Sequence, residues 1–186
     1  MFIQTEKTPN PDVLKFIPGL PVTGTGTAEF RSRDEAGNSP LAQRLFEVEG
    51  VASVFFGPDF ISITKSEAKE WLGLKTMVLA AIMEHFATGQ PVMSKVSAAL
   101  KPTGSNLDDE IVSQICELIE TRVRPAVQMD GGDIVFDRFE DGIVYLHMQG
   151  ACAGCPSSTM TLKSGIENML KHFVPEVQEV RAADRL

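Results

Sequence analysis

The residues best suited to chemistry are two cysteines, Cys152 and Cys155, in the run Gly150-Ala151-Cys152-Ala153-Gly154-Cys155-Pro156. Pro156 fits the first position of a helix, where its missing N–H has no intrahelical partner and its φ is already helical. That places Cys155 at the N-cap, within reach of the N–H groups of Ser157 or Ser158 and at the positive end of the helix dipole. A thiol in this setting ionises well below its ordinary pKa of about 8.5. Thiolate is the form that binds metal, and the small neighbours predict unshielded sulfurs on a loop able to bend closely around an ion or cluster.

Two thiolates leave a cubane cluster or a tetrahedral zinc short of ligands, since each takes four. Cys116 is the one other cysteine, and its place on a predicted helix beside Val112 and Val123 reads as a small buried hydrophobe. His147 lies on a predicted strand, on the face opposite Val144, Leu146 and Met148, as an ordinary strand side chain more than a ligand. Two copies related by a two-fold axis would bring four sulfurs to one point. Two other readings stay open: a disulfide or structural metal clip, and a thioredoxin-like redox centre. The redox centre normally follows the first strand of a βαβ unit, whereas here the pair follows an antiparallel hairpin.

The elements that position the pair are legible on both sides. After the linker, Leu107, Ile111, Ile115, Leu118 and Ile119 recur at helical spacing behind Asn106 as cap, and Pro125 ends or kinks that helix. Strands over 133–139 and 143–148 flank Asp141-Gly142, a strong hairpin signal. A loop over 149–154 leads to a helix over 156–173, and a strand over 177–182 closes the domain. Earlier in the chain, the spacing predicts a strand at the start (Met1 to Glu6), a helix over 40–46, a hairpin of 51–56 and 60–64 around Gly57-Pro58-Asp59, and a helix over 67–88. Pro91, Pro102, Gly104 and scattered Ser and Lys residues between these blocks read as a flexible linker. The expected architecture is two small α+β domains, 1–89 and 106–186, joined by a linker over 90–105. The second has the order helix, strand, strand, helix, strand.

Composition narrows the function. Of the net charge of −8, residues 1–104 supply −1 (10 Lys/Arg against 11 Asp/Glu) and the remainder −7 (7 against 14). An acidic chain argues against a partner bound through phosphates, so nucleic acid is not expected, and basic protein surfaces suit the second domain better. The apolar stretch Met77 to Met83 falls far short of the roughly 20 residues that span a bilayer, so no membrane partner is expected. An odd cysteine count with one Cys-x-x-Cys fits a reducing compartment. Gly24-Thr25-Gly26 lacks the remainder of a phosphate loop. Asp130 and Asp133 around Gly131-Gly132 read as a tight turn rather than a calcium loop.

Met129-Asp130-Gly131-Gly132-Asp133 followed by Gly150-Ala151-Cys152-Ala153-Gly154-Cys155-Pro156-Ser157-Ser158-Thr159 resembles the Nfu-type, or NifU C-terminal, iron–sulfur domain. Lys163-Ser164-Gly165-Ile166-Glu167 and Val174-Pro175-Glu176-Val177 continue the likeness. The first domain is similar to the N-terminal domain that accompanies this module, through Phe2 to Glu6, Thr8 to Pro11, Leu14 to Gly19 and Ser53 to Phe60. The resemblance implies a scaffold or carrier rather than an enzyme. Its cargo would be a [4Fe–4S] cluster, with [2Fe–2S] or iron as other loads, bridged between two subunits of a homodimer and passed to apo-proteins after receipt from upstream assembly factors. Carried over residue by residue, the ligands are Cys152 and Cys155 alone. A chain that starts at the Phe-Ile-Gln-Thr run fits a bacterial cytoplasm, with a processed mitochondrial matrix form as the alternative.

Overall fold

The computed structural model describes residues 2–94, 108–153 and 156–183. Most of the predicted linker, the expected cap Asn106, and Cys155 lie outside them. Contacts divide the chain into two compact units, Met1–Ala99 and Leu100–Leu186.

The first unit is built on a five-stranded antiparallel sheet of order β1-β2-β5-β4-β3. Its strands are β1 Gln4–Lys7, β2 Val13–Ile17, β3 Ala28–Phe30, β4 Val51–Phe56 and β5 Ile61–Lys65. Helices α1 Pro40–Phe46 and α2 Trp71–Thr88 supply Leu41, Leu45, Val78 and Ile82 to a core that also buries Phe16, Phe56, Ile61 and Ile63. Each fully buried side chain of this size contributes about 1.5–3 kcal/mol of transfer free energy. Helix α1 spans the predicted residues because Pro40 occupies its first turn and Ser39 caps it, Ser39 Oγ accepting from the Ala42 N–H at 3.1 Å. Helix α2 begins later than predicted, since Lys69 closes a turn onto the Ser66 carbonyl and Glu70 is extended. It ends at Gly89, whose φ of 67° is the left-handed helix stop. Residues 90–94, read from sequence as linker, are tied to this unit. Ser39 Oγ donates to the Val92 carbonyl at 2.6 Å and the Ser94 N–H to the Asn38 carbonyl at 2.8 Å.

The second unit has the predicted element order. Helix α3 Asp108–Leu118 runs through a widened π turn, Ile119–Val123, into α4 Arg124–Met129. The π turn is how the chain accommodates Pro125, which has no N–H and whose ring would press on the carbonyl four residues back. Strands β6 Gly132–Glu140 and β7 Ile143–Gly150 form an antiparallel hairpin. Its turn residues Asp141 and Gly142 both have positive φ, 52° and 77°, as a two-residue primed turn requires. Helix α5 Pro156–Phe173 leads to β8 Glu179–Ala182, which pairs parallel with β7. That strand starts two residues later than predicted because the Val177 N–H closes a turn onto the Val174 carbonyl at 3.0 Å. The core joins Ile115, Ile119 and Val127 from the helical arm, Ile134, Val144 and Leu146 from the sheet, and Ile166 and Leu170 from α5. Among the described residues no helix is long and apolar enough to cross a membrane.

Candidate metal centre

Strand β7 ends at Gly150, with a φ of 60° that turns the chain out of the sheet. The loop then folds back on the start of β6. The Ala151 N–H donates to the Gly131 carbonyl at 3.2 Å and the Cys152 N–H to the Gln149 carbonyl at 3.3 Å. From α5, Thr159 Oγ1 donates to the Cys152 carbonyl at 3.1 Å. The backbone of Cys152 is thus held from its own strand end and from the following helix.

Its sulfur does not stand free, which corrects the expectation that small neighbours leave both sulfurs unshielded. Cys152 is 7% exposed and packs into the core of the second unit. Gly132 makes this possible: a Cβ there would lie 2.5 Å from Cys152 Sγ, 2.8 Å from the Gln149 carbonyl oxygen and 2.9 Å from the Cys152 nitrogen. The sulfur occupies the notch that glycine's missing side chain leaves. Burial pushes the thiol up to about 12, and the Asp130 and Asp133 carboxylates add to the effect.

Next to the notch lies an ion pair, buried at its carboxylate end, that the sequence reading missed, taking Asp133 for part of a turn. Asp133 is fully buried, and Arg124 grips it with a fork, Nε to Oδ1 at 2.9 Å and Nη2 to Oδ2 at 2.7 Å. Arg124 Nη1 donates to Glu120 at 2.6 Å, and Asp133 Oδ1 also accepts from the Ile134 N–H at 2.9 Å. The available sequence signal was the doubled glycine ahead of Asp133, a sign of close backbone approach.

The remaining sequence candidates stand elsewhere. Cys116 lies on α3, half-buried rather than buried, and burial and the Glu120 carboxylate both push its thiol up. His147 has Nδ1 3.1 Å from the Ala183 carbonyl oxygen and Nε2 3.2 Å from Asp137 Oδ1, so both ring nitrogens are engaged. No group of three or more His, Cys, Asp or Glu side chains able to hold a metal occurs among the described residues. The topology also bears on the redox chemistry open to the pair. Strand β7, helix α5 and parallel strand β8 form a βαβ unit, so the loop does sit at the strand-to-helix turn where a redox Cys-x-x-Cys would be found. What weighs against that chemistry is the burial of Cys152, because the attacking thiol of such a centre must be accessible.

Comparison with known proteins decides the family. Residues 3–89 match the family model described as scaffold protein Nfu/NifU N terminal, and residues 115–181 match the NifU-like domain. The human protein named NFU1 iron–sulfur cluster scaffold homolog, mitochondrial, is 54% identical over 97% of this chain and 71% of its own length. The chain belongs to the Nfu/NifU scaffold family. A Drosophila persimilis family member with the same name is 52% identical over the whole chain and 68% of its own length. A solved NifU-like protein from Saccharomyces cerevisiae is 31% identical and superposes with a TM-score of 0.47 over 52% of this chain and 87% of that one. Membership gives the chain a role as an iron–sulfur cluster scaffold. The relatives' names carry a mitochondrial label, which favours the alternative location and leaves the bacterial cytoplasm without support.

Proposed function

We propose that this scaffold carries a labile [4Fe–4S] cluster bridged between two copies through Cys152 and Cys155 and delivers it to apo-proteins. The cluster is cargo, received from upstream assembly factors and passed on; the relatives' names favour a mitochondrial location, and we place the protein in the matrix. The observation that carries this reading is the shortage of ligands around Cys152. Among the described residues no group of three or more His, Cys, Asp or Glu side chains able to hold a metal occurs, while a cubane takes four ligands. A second copy supplies the missing pair and closes the site symmetrically. A cluster at such an interface is reachable by a client, as delivery requires, and no chemical step is asked of the protein beyond ligand exchange. Domains 1–89, extended by the tied residues 90–94, and 106–186, joined by the rest of the 90–105 stretch, are proposed as separately folding parts, the second holding the cluster.

The test is transfer in the presence of an iron chelator. Holo-protein reconstituted without oxygen should activate an apo iron–sulfur enzyme at chelator levels that leave the holo-protein intact. Loss of activation under those conditions would mean release into solution and would end the carrier reading. Iron and sulfide in equal amounts identify a cluster, the absorption spectrum separates [4Fe–4S] from [2Fe–2S], and iron without sulfide would mean a metal-only load.

A further inference from the structure

We infer that Arg124 is a positioning residue that, through its forked pair with Asp133, keeps the Cys152 sulfur withdrawn in metal-free protein and so weakens the hold on the cargo. Asp133 opens β6 directly after Gly132, and its carboxylate is fixed by two hydrogen bonds from Arg124 and one from the Ile134 N–H. Gly132 pairs in register with Gly150 and Asp133 with Gln149, so fixing Asp133 also fixes the edge facing the base of the ligand loop. Gly131 takes the Ala151 N–H, and Gly132 receives the sulfur. The chain of contacts runs without a gap from the guanidinium to Cys152.

This rests on the proposed role of Cys152 as a ligand. A sulfur that is 7% exposed among core side chains must leave its notch before iron shared with a second copy can reach it. The withdrawn and ligating positions are then alternatives, and whatever favours the first opposes the second by the same amount. Withdrawal shields the thiol in the empty protein and helps expel cargo when a client competes for it. The clamp thus tunes retention, which fits a carrier better than a permanent metal site.

The test is the rate of maleimide labelling at Cys152, located by peptide mass, in metal-free full-length Cys116→Ser protein at one pH. Cys152 in the folded protein should label about tenfold or more slowly than in the same chain unfolded by guanidinium chloride. Arg124→Gln should raise the folded rate several-fold with unchanged circular dichroism. Arg124→Lys, which keeps the charge but not the fork, should fall between, and Lys171→Gln, on α5 and paired with Glu167 rather than with the clamp, should leave the rate unaltered. Reconstituted Arg124→Gln protein should also lose its cluster to a chelator more slowly than the parent, the reverse of what general structural damage would do. Labelling of the folded parent at the unfolded rate would overturn the inference, as would folded Arg124 variants that label and release like the parent. If Arg124→Gln does not fold, the parent rate and Arg124→Lys decide. Slow labelling in a protein that takes up no cluster would refute the proposed function and leave the clamp standing.

Discussion

Gly132 and Cys152 face each other so closely that a methyl group on the glycine would sit 2.5 Å from the cysteine sulfur. Two of the three nearest atoms to that methyl group include backbone that cannot step aside, the Gln149 carbonyl oxygen and the Cys152 nitrogen. Gly132→Ala should therefore cost about 1–3 kcal/mol through overpacking. Gly165, exposed on α5 with nothing within 4 Å of its Cβ position, is the control. Gly165→Ala should stabilise by about 0.5–1 kcal/mol, as alanine does in a helix interior. Urea titration of both variants followed by circular dichroism checks the opposite signs.

The Arg124–Asp133 pair should behave as a buried ion pair. Arg124→Met leaves the fully buried Asp133 carboxylate without its fork, at a cost of about 3–5 kcal/mol. The double variant Arg124→Met/Asp133→Leu removes both charges and should recover most of that loss. A thermodynamic cycle from four denaturation curves measures the coupling, and additive losses would show that the two side chains act independently.

A pH effect is expected in the first unit. His85 on α2 is fully buried, and among the described residues no group meets either ring nitrogen with good hydrogen-bond geometry, although the Gln90 and Pro91 carbonyls lie near the ring. Burial lowers its pKa from the ordinary 6.5, the Arg44 guanidinium adds to this, and the Gln90 and Pro91 carbonyls oppose it. Arg44 itself pairs with Glu84 at 3.1 Å. Because the folded state binds this proton less readily than the unfolded chain, stability is complete above about 6.5 and declines as pH falls below it. Trp71, the sole tryptophan, is anchored in this unit by its indole N–H to the Pro11 carbonyl at 3.1 Å. Its fluorescence should melt at lower temperature at pH 5.5 than at pH 7.5, and His85→Leu should flatten that dependence.

Residues 105–186 should fold and take up cluster without the first domain. Size-exclusion chromatography and reconstitution of the truncated chain check this. A soluble, folded fragment that binds no cluster would make the site dependent on the first domain.

Local signals made much of this fold readable from sequence. Pro40 started α1, Asp141-Gly142 closed the β6–β7 hairpin, and apolar spacing marked α2 and α5. Strands β2 and β3 were not assigned because their signals are non-local. In Val13–Ile17 the first four residues are buried, so no alternation shows. Lys15 hides in that strand where Phe60, 4.7 Å from its ammonium, and Glu6 at 3.7 Å reach it from elsewhere in the chain. Ala28–Phe30 is three residues long and becomes a strand by pairing with β4. The candidate site divides the same way. The Cys-x-x-Cys and its helix start were visible in one short run, whereas the burial of Cys152 depends on Gly132, twenty positions earlier. Arg124 meets Asp133 only once the π turn has brought the helical arm against β6.

The central claim is that two chains share one cluster through Cys152 and Cys155, and the most direct test is native mass spectrometry of anaerobically reconstituted protein. The account predicts a dimer carrying one [4Fe–4S] cluster, a return to monomer on chelation, and an unchanged result for Cys116→Ser. It also predicts complete loss of cluster in Cys152→Ser and in Cys155→Ser. An intact [4Fe–4S] cluster on a stable monomer, or one that survives either of those two substitutions, would contradict it.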